Sequence, residues 1–339
     1  MNLKKSIAKV QRATNRVFWT PILVLEVTDQ CNGRCVMCDL WNNGEKHELD
    51  GGDMESLVLS LKKSGLRSIL VTGGEPLLRR DIFEFCERLS RHRIELILNT
   101  NGLLLEKFGQ EVADHFSMVI VSLDSHDPVG YEEIRGCDEF PNVIEGIKSL
   151  KKRGGWVMLS HTLQKTNIHG LAEFVSFSKA LGVERISVRP VDAFSSAFGR
   201  NRPRPDLFEK LIPSEQDIEE LSRLIEVIGK ECRQDIQDGF LRPGVKGLRM
   251  VRDYFLACRG RGDFPERECD MPFVSLTVEA GGHVKPCFFL DSFSIVNEVD
   301  GSRRGNIIKH RGLADVRRLY KKGGIEECRR CVQPYAEDF

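Results

Sequence analysis

Three cysteines stand close together near the start of the chain, in the segment CNGRCVMC. They are Cys31, Cys35 and Cys38, and an apolar run precedes them. Three thiolates on one short loop can hold three corners of an iron–sulfur cube, whereas such cubes normally have four cysteine ligands. The fourth iron is then open to a small chelating molecule. Structural zinc is the alternative, but it prefers four ligands in CxxC pairs, so the spacing favours iron and sulfur.

Four more cysteines, near the end of the chain, form a second candidate metal site. Cys269 and Cys287 flank a segment with the alternation of a β-hairpin and a Gly-Gly turn. Cys328 and Cys331 form a CxxC pair. Four thiolates suit a fully ligated [4Fe–4S] cluster or an all-thiolate zinc site, and the residues alone leave both open.

Six apolar, β-rich runs alternate with amphipathic helical patterns over the first two hundred residues. This alternation predicts an α/β fold in which helices wrap a parallel sheet. Polar and Gly-rich residues follow nearly every run, and ligands bind at that rim in α/β barrels. The predicted strands are residues 21–27, 68–73, 95–101, 118–124, 157–163 and 185–190.

The order of the motifs resembles the radical SAM superfamily over roughly residues 20–190. CNGRCVMC follows a strand, and TGGEP, NTNG and SLD come after it. The resemblance implies a partial (β/α)6 TIM-like barrel with a [4Fe–4S] cluster on Cys31, Cys35 and Cys38. It also implies S-adenosylmethionine (SAM), which the reduced cluster cleaves to methionine and a 5′-deoxyadenosyl radical that abstracts hydrogen from a substrate.

The TGGEP segment matches the superfamily motif at the end of the second strand. The resemblance implies that Gly73, Gly74, Glu75 and Pro76 meet the SAM ammonium group, through backbone carbonyls and the Glu75 carboxylate. Glycines allow close backbone approach, and a carboxylate suits an ammonium group. A plain turn is the alternative. One departure is Met37, which stands where the superfamily often has an aromatic residue near adenine.

Other rim residues are candidates for the same cofactor by resemblance. Ser122 and Asp124 resemble residues that contact the SAM ribose, and a strand cap is the alternative. Arg135 resembles a position near the SAM carboxylate, and a surface salt bridge is equally open. Asn99 and Asn101 lie on the same rim, where they line the pocket or form an Asn-Gly turn.

The second cysteine set resembles the SPASM/twitch extension of radical SAM enzymes. Cysteine, twelve residues, Gly282, four residues and cysteine match its pattern. Too few cysteines remain for the two clusters of a full SPASM domain, so we expect a one-cluster twitch domain with a small hairpin and helices. The predicted division is a basic arm (1–19), the barrel (20–195), a linker and helix (196–254), and the twitch domain (255–339).

Four further residues are candidates for contact with the substrate. A thiol at Cys137 or Cys258 can donate a hydrogen atom to a substrate radical, as an epimerase requires, and an inert thiol is the alternative. Cys258 is also a possible extra cluster ligand. His161 and Arg189, on late strands, suit a base and a substrate anchor. Ordinary rim structure is the alternative for both.

Composition narrows the class of function. The chain has 50 Lys and Arg against 50 Asp and Glu, so no overall field attracts nucleic acid. No apolar run is long enough for a membrane span, and eleven cysteines, an odd number, suit metal binding in a reducing cytoplasm. We expect a cytoplasmic enzyme, and we expect the basic arm at residues 1–25 to be a solvated terminus.

The predicted reaction is oxidation or epimerisation of a small, carbohydrate-like molecule. Modification of a ribosomal peptide is the first alternative, and a non-catalytic zinc-binding scaffold is an alternative of another class. The resemblance also implies an external electron donor of the flavodoxin or ferredoxin kind.

Overall fold

The structure is a computed structural model, and it describes residues 3–42, 44–200, 205–266, 268–296 and 307–332. In these ranges ten strands form one sheet in the order β10-β9-β8-β1-β2-β3-β4-β5-β6-β7. The strands are β1 (Ile22–Glu26), β2 (Ser68–Thr72), β3 (Glu95–Thr100), β4 (Met118–Ser122), β5 (Val157–Leu163), β6 (Arg185–Pro190), β7 (Leu241–Arg242), β8 (Ser275–Val278), β9 (His283–Lys285) and β10 (Ser294–Ile295).

The six predicted strands are confirmed, and they pair in parallel from β1 to β6. Long apolar runs suit these strands because both of their faces are buried. Helices cover one face, and apolar side chains of neighbouring strands pack together on the other. β7 extends the parallel order at one edge, and β10 lies at the other. The α/β class with a mostly parallel sheet is therefore confirmed, with the sheet left open between its two edges in the described ranges.

Helices connect successive strands, as the amphipathic patterns predicted. Asp50 caps one helix by accepting hydrogen bonds from the amides of Gly52 and Asp53. Ser214 and Asp217 form a capping box at the start of another. The helices are α1 (Leu3–Thr14), α2 (Gly51–Lys62), α3 (Ile82–Ser90), α4 (Leu105–His115), α5 (Pro128–Arg135), α6 (Phe140–Lys152), α7 (Leu171–Leu181), α8 (Pro205–Leu211), α9 (Glu215–Glu231), α10 (Arg233–Gln237), α11 (Val245–Cys258), α12 (Met271–Val274), α13 (Arg311–Lys321) and α14 (Glu326–Arg329).

The two faces of the sheet have different surroundings, because successive strand residues point to opposite sides. Residues at alternate positions, such as Leu23 and Leu159, pack with the helices in the main core. On the opposite face, which we call the inner face, Ile97, Ile120 and Met158 form a separate apolar cluster. Polar residues follow on the same face toward the carboxyl ends of the strands, so the inner face has an apolar floor beneath a polar layer.

The basic N-terminal segment is not a solvated terminus, and that expectation was wrong. It forms α1, and Gln11 in this helix is fully buried. The Gln11 side chain donates to the carbonyls of Trp19 and Phe273, and it accepts from the amides of Phe18 and Trp19. The amphipathic spacing of α1 therefore seats it against the C-terminal part of the chain, while the side chains of Lys4 and Lys5 lie outside the described residues.

The predicted hairpin is present between Cys269 and Cys287, with a different beginning. β8 and β9 pair antiparallel around the Gly281–Gly282 turn, where Gly282 has φ +81°. The four residues before β8 form α12 instead of continuing the strand. β8 also pairs in parallel with β1. The hairpin therefore continues the same sheet, and its inner-face residues lie beside those of β1.

Candidate active site

The three-cysteine loop follows β1 at the carboxyl edge of the sheet. A Cβ atom added to Gly33 lies 3.7 Å from the Cys35 Sγ and 3.8 Å from the Cys31 Sγ, so both thiols border this glycine. The amide of Cys38 donates to the carbonyl of Cys35 at 3.1 Å. In the described part of the chain, no three Cys, His, Asp or Glu side chains are arranged to hold a single metal ion. Three thiols carried by one loop suit a cluster, in which each thiolate ligates a different iron.

The Gly-Gly pair after β2 seats this loop. The Gly74 amide donates to the Thr28 carbonyl at 2.8 Å, and the Glu75 amide donates to the Gln30 carbonyl at 2.7 Å. A Cβ atom at Gly73 or Gly74 lies 2.1 Å from the Thr28 or Gln30 carbonyl oxygen, respectively. Only glycine permits such an approach, so the motif fixes the path of the chain toward Cys31.

Glu75 ties the ends of two neighbouring strands together. Its side chain is fully buried, and one carboxylate oxygen accepts from the Leu77 amide and the Thr100 hydroxyl. The other oxygen accepts from the Asn101 amide at 2.7 Å. Burial raises the pKa of Glu75 to about 7, although these hydrogen bonds oppose the rise. The carboxylate therefore fixes the rim beside the cysteine loop.

A buried ion pair links β4 to the same loop. The Arg135 guanidinium lies 2.5 Å from the Asp124 carboxylate, and both side chains are buried. A second guanidinium nitrogen of Arg135 donates to the Cys35 Sγ at 3.6 Å. The other Asp124 oxygen accepts from the Thr162 amide at 2.6 Å. Asp124 thus orients Arg135, and Arg135 places positive charge beside a candidate cluster ligand.

The two asparagines on the rim point in different directions. Asn99 lies on the inner face, where its amide donates to the Thr72 hydroxyl at 3.1 Å. The side-chain amide of Asn101 donates to the Asn32 side chain at 2.7 Å and approaches the Cys31 Sγ at 4.0 Å. Ser122 ends β4 on the inner face and is half-buried. Asn99 and Ser122 therefore line the polar layer, whereas Asn101 supports the cysteine loop.

The loop after β6 closes over the third cysteine. The Cys38 Sγ lies 3.6 Å from the Phe198 carbonyl, and the Asp39 amide donates to the same carbonyl at 2.9 Å. The Phe198 ring packs against Phe288 and Phe289, which directly follow Cys287. One short segment thus contacts both cysteine regions.

Three thiols of the second cysteine set lie close enough to interact electrostatically. Burial, followed by the neighbouring Cys287, raises the pKa of Cys269 to about 12. Burial, followed by Cys287 and Cys269, also raises the pKa of Cys328 to about 12. The Tyr320 hydroxyl accepts a hydrogen bond from the Cys269 amide at 2.8 Å. Cys331 completes the CxxC segment at the end of α14.

The four candidate substrate contacts occupy different surroundings. His161 shares the helix-facing side of β5 with Leu159 and Leu163, and its ring packs 4.1 Å from that of Phe174. It therefore points away from the inner face, and burial lowers its pKa to about 4. Arg189 lies on the inner face of β6, by the alternation of that strand.

The two candidate thiols lie apart from each other. Cys137 follows α5 behind the cluster loop, and it hydrogen-bonds to the Tyr131 hydroxyl. Cys258 ends α11, hydrogen-bonds to Tyr254 and is influenced by Asp192. Burial raises the pKa of Cys258 to about 12, so this thiol is protonated near neutral pH. Cys86 is fully buried in the core.

The sequence reasoning missed a buried charged group on the inner face. Glu26 ends β1 with 9% of its surface exposed, and Lys285 ends β9 with 8% exposed. Glu279, which follows β8, forms an ion pair with Lys285. A signal was available, because a single acidic residue closes the apolar run of ILVLE.

These features define a class: an α/β protein with a mostly parallel sheet and a three-cysteine loop at its carboxyl edge. The description "Radical SAM superfamily" matches residues 25–177. A relative in Thermococcus kodakarensis, named "Probable GTP 3',8-cyclase", is 32% identical and covers 68% of this chain and 75% of its own. The chain belongs to the radical SAM superfamily.

Two further comparisons agree. A protein of Sulfolobus acidocaldarius, also named "Probable GTP 3',8-cyclase", is 29% identical and covers 79% of this chain and 81% of its own. The solved structure "Native anSMEcpe with bound AdoMet" has a TM-score of 0.63 at 17% identity. It covers 94% of this chain and 92% of its own, and at that identity the likeness shows the fold alone. Membership implies a [4Fe–4S] cluster and SAM, as predicted.

The relatives correct the predicted reaction. Those that cover most of this chain carry the name of a cyclase that acts on GTP. The prediction of an oxidoreductase or epimerase of a carbohydrate-like molecule was therefore wrong. The same relatives count against the two alternatives, a peptide maturase and a zinc-binding scaffold. None of the helices in the described ranges has both the length and the apolar composition needed to cross a bilayer.

Proposed function

We propose that this protein is a GTP 3',8-cyclase, which uses a SAM-derived radical to join carbon 3′ of the ribose of GTP to carbon 8 of the base. The observation that carries the proposal is the similarity to the Thermococcus relative over two thirds of this chain. The inner face supports it, because a surface that combines an apolar cluster with polar side chains suits a small polar substrate.

The contacts of individual residues suggest a separate role for each in binding the cluster and SAM. Cys31, Cys35 and Cys38 would hold the cluster, which supplies the electron that cleaves SAM. Gly73 and Gly74 keep the cysteine loop in register, and their carbonyls, with Glu75 and Pro76, remain our proposal for the SAM ammonium site. Ser122, on the inner face, remains our proposal for a ribose contact.

For Asp124 and Arg135 the contacts favour a positioning role. The two buried side chains neutralise each other's charge, and Arg135 donates to the Cys35 Sγ at 3.6 Å. We propose that the pair fixes the cluster loop relative to β4 and that Arg135 offers its remaining hydrogen-bonding capacity to the SAM carboxylate. Asn99, bonded to Thr72, continues the polar layer toward the substrate.

We also propose that Cys269, Cys287, Cys328 and Cys331 hold an auxiliary [4Fe–4S] cluster in a twitch-type domain. The electrostatic influence of Cys287 on Cys269, and of both of these thiols on Cys328, supports the proposal. Two cubes predict about eight irons per chain, and one predicts about four. The electron donor of flavodoxin or ferredoxin type and the cytoplasmic location stay predictions.

The test is deuterium transfer from GTP. Dithionite-reduced holoenzyme is incubated with SAM and GTP that is deuterated at carbon 3′, and 5′-deoxyadenosine is analysed by mass spectrometry. The nucleotide loses a hydrogen atom to the SAM-derived radical. It then gains one electron from the reductant and one proton from water, so the product has the mass of unlabelled GTP, is lighter than the labelled substrate, and differs from GTP in retention.

The expected result is one deuterium in 5′-deoxyadenosine and a new isomer of GTP. Unlabelled 5′-deoxyadenosine with intact GTP would contradict the proposal, because SAM cleavage would then be uncoupled from this nucleotide. ATP labelled at the same carbon is the matched control, and we expect no transfer from it.

A further inference from the structure

The loop after β6 holds Phe198 in a backbone conformation that bulky residues rarely adopt. Phe198 has φ +62° and Gly199 has φ +74°, so two successive residues lie in the left-handed region. Glycine adopts this region freely, whereas in other residues the Cβ atom crowds the backbone and makes it unfavourable. Such strain persists where surrounding contacts impose it, and it concentrates at functional sites. The contacts of residues 191–200, which we call the β6 loop, show what imposes this conformation.

A buried ion pair closes the β6 loop. The Arg200 guanidinium pairs with the Asp192 carboxylate at 3.1 Å and donates to the Asp192 carbonyl at 2.9 Å. Both residues are buried. The same guanidinium lies over the Phe198 ring, with 5.2 Å between its carbon and the ring centroid. The two ends of the loop are therefore tied to each other, and the Phe198 ring packs against this closure.

The Phe198 ring also contacts the hairpin side of the second cysteine set. It packs 5.2 Å from the ring of Phe288 and 6.1 Å from the ring of Phe289. These two residues directly follow Cys287. Edge-on contacts between aromatic rings are favourable beyond the area they bury, so the hairpin holds the ring in place.

A second ring of the β6 loop contacts the CxxC side of the same set. The Phe194 ring centroid lies 4.9 Å from the guanidinium carbon of Arg330. Arg330 stands between Cys328 and Cys331. The β6 loop therefore touches both of the segments that carry the second cysteine set.

The backbone of the β6 loop contacts the first cysteine loop. The Asp39 amide donates to the Phe198 carbonyl at 2.9 Å, and the Cys38 thiol lies 3.6 Å from the same carbonyl. Ligation of iron requires the thiolate, so the hydrogen bond from the Asp39 amide is the contact that persists when a cluster is bound. Phe198 thus contacts the second cysteine set through its ring and the first cysteine loop through its carbonyl.

We propose that the β6 loop couples the two cysteine sites and that Phe198 is the positioning residue. This inference rests on the proposed auxiliary cluster. A cluster at the second site joins the hairpin to the CxxC segment, and both segments hold rings of the β6 loop. The Phe198 carbonyl then stays against the peptide that follows Cys38, so the filled second site stabilises the first cluster. Coupling of this kind commonly changes affinity by about fivefold or more.

The test follows the first cluster of the anaerobically reconstituted holoenzyme in the presence of bathophenanthroline disulfonate, a chelator of ferrous iron. Samples are reduced with dithionite at intervals, and electron paramagnetic resonance spectra are recorded with and without SAM. SAM binds at the open iron of the first cluster, so the part of the spectrum that changes with SAM reports on this cluster. The measured quantity is the half-life of that signal, which does not depend on turnover.

Three proteins are compared with the wild type. They are Phe198→Gly, the combination of Phe198→Gly with the downstream cysteine variant, and that variant alone, which has alanine at Cys269, Cys287, Cys328 and Cys331. Phe198→Gly keeps the carbonyl and relieves the backbone strain, so a faster loss of signal would come from the missing ring contacts.

Iron is released when the loop opens, so the rate of loss follows the population of the open state. We expect the half-life to fall about fivefold or more in each single variant, the size expected for one hydrogen bond or one coupling between sites. The combined variant should lose the signal no faster than either variant alone, because both changes remove the same coupling.

Two further variants and a control keep the test decisive. Phe288→Ala removes the ring contact from the hairpin side and should also shorten the half-life, whether or not Phe198→Gly folds. Phe198→Tyr keeps an aromatic ring and should keep the wild-type half-life. The matched control is Phe83→Ala, because Phe83 is half-buried like Phe198 and packs 5.5 Å from the Phe108 ring between α3 and α4. It should leave the half-life unchanged.

The outcomes separate this inference from the auxiliary cluster on which it rests. If the downstream cysteine variant binds as much iron as the wild type, the auxiliary cluster and this inference both fail. If it loses about four irons but keeps the wild-type half-life, this inference alone fails. This inference alone also fails if Phe198→Gly and Phe288→Ala keep the wild-type half-life, or if the single effects multiply in the combined variant. The reaction with GTP is tested separately by the deuterium transfer.

Discussion

Replacing Gly74 with alanine tests how the cluster loop is held. The added Cβ atom lies 2.1 Å from the Gln30 carbonyl oxygen and 2.6 Å from its carbon, whereas ordinary contacts begin at 3.4 Å. Both atoms belong to backbone, so no side chain can rotate away. The loop must move by about 1 Å, which in a close-packed region costs roughly 1–3 kcal/mol. The movement also breaks the Glu75–Gln30 hydrogen bond next to Cys31.

The assay is iron content per chain after anaerobic reconstitution, together with 5′-deoxyadenosine formed from SAM. We expect Gly74→Ala to lose the iron of the first site and nearly all SAM cleavage, while the second site keeps its iron. The matched control is Gly44→Ala, since a Cβ atom there has no neighbour within 4 Å. If Gly74→Ala keeps full iron and full cleavage, the glycine pair does not position the loop.

Three other substitutions probe separate parts of the account. Asp124→Asn leaves the buried Arg135 charge without its partner and should lower the free energy of unfolding by about 3–5 kcal/mol in urea titrations; an unchanged midpoint would contradict the ion pair. Burial raises the pKa of Glu26 from 4.5 to about 7, so the folded protein binds this proton more tightly than the unfolded chain and loses stability as the pH rises through that window. Glu26→Gln removes this loss, so its stability relative to the wild type should rise by up to about 3 kcal/mol between pH 4 and pH 8, and parallel pH profiles would refute the raised pKa. Gln11→Ala removes four hydrogen bonds between α1 and its neighbours and should expose α1 to limited proteolysis, whereas Lys9→Ala, on the exposed side, should not.

The strands that carry the site were predictable from the sequence. Each of the six apolar runs became a strand within two residues of its predicted ends, because burial on both faces demands continuous apolar residues. The chemistry-bearing loops followed directly, since parallel strands deliver their carboxyl ends to one edge. The capping box at Ser214 and Asp217 was predictable for a local reason: its hydrogen bonds lie within four residues.

Contacts between distant parts of the chain were not predictable. Glu26 is an ordinary strand-end residue in the sequence until β8, some 250 residues later, pairs with β1 and brings Glu279 and Lys285 beside it. The direction of His161 was open to inference, because it shares parity with Leu159 and Leu163. Proximity to the rim is a weaker indication of where a side chain points than the alternation of residues along the strand.

The reaction could not be read from the residues, because motifs for SAM and the cluster are shared by enzymes with different substrates. The four downstream cysteines suggested a domain type, and a domain type does not fix a substrate. Relatives that extend over most of the chain supplied the missing constraint.

The central claim is that Cys31, Cys35 and Cys38 hold the cluster that cleaves SAM. The most direct measurement is 5′-deoxyadenosine formation by two combined variants, each reconstituted with iron and reduced with dithionite. Alanine at Cys31, Cys35 and Cys38 should abolish cleavage while the downstream site keeps its iron. Alanine at Cys269, Cys287, Cys328 and Cys331 should leave measurable cleavage and about four irons per chain. Cleavage that persists without the first three cysteines, or vanishes only without the other four, would contradict the account.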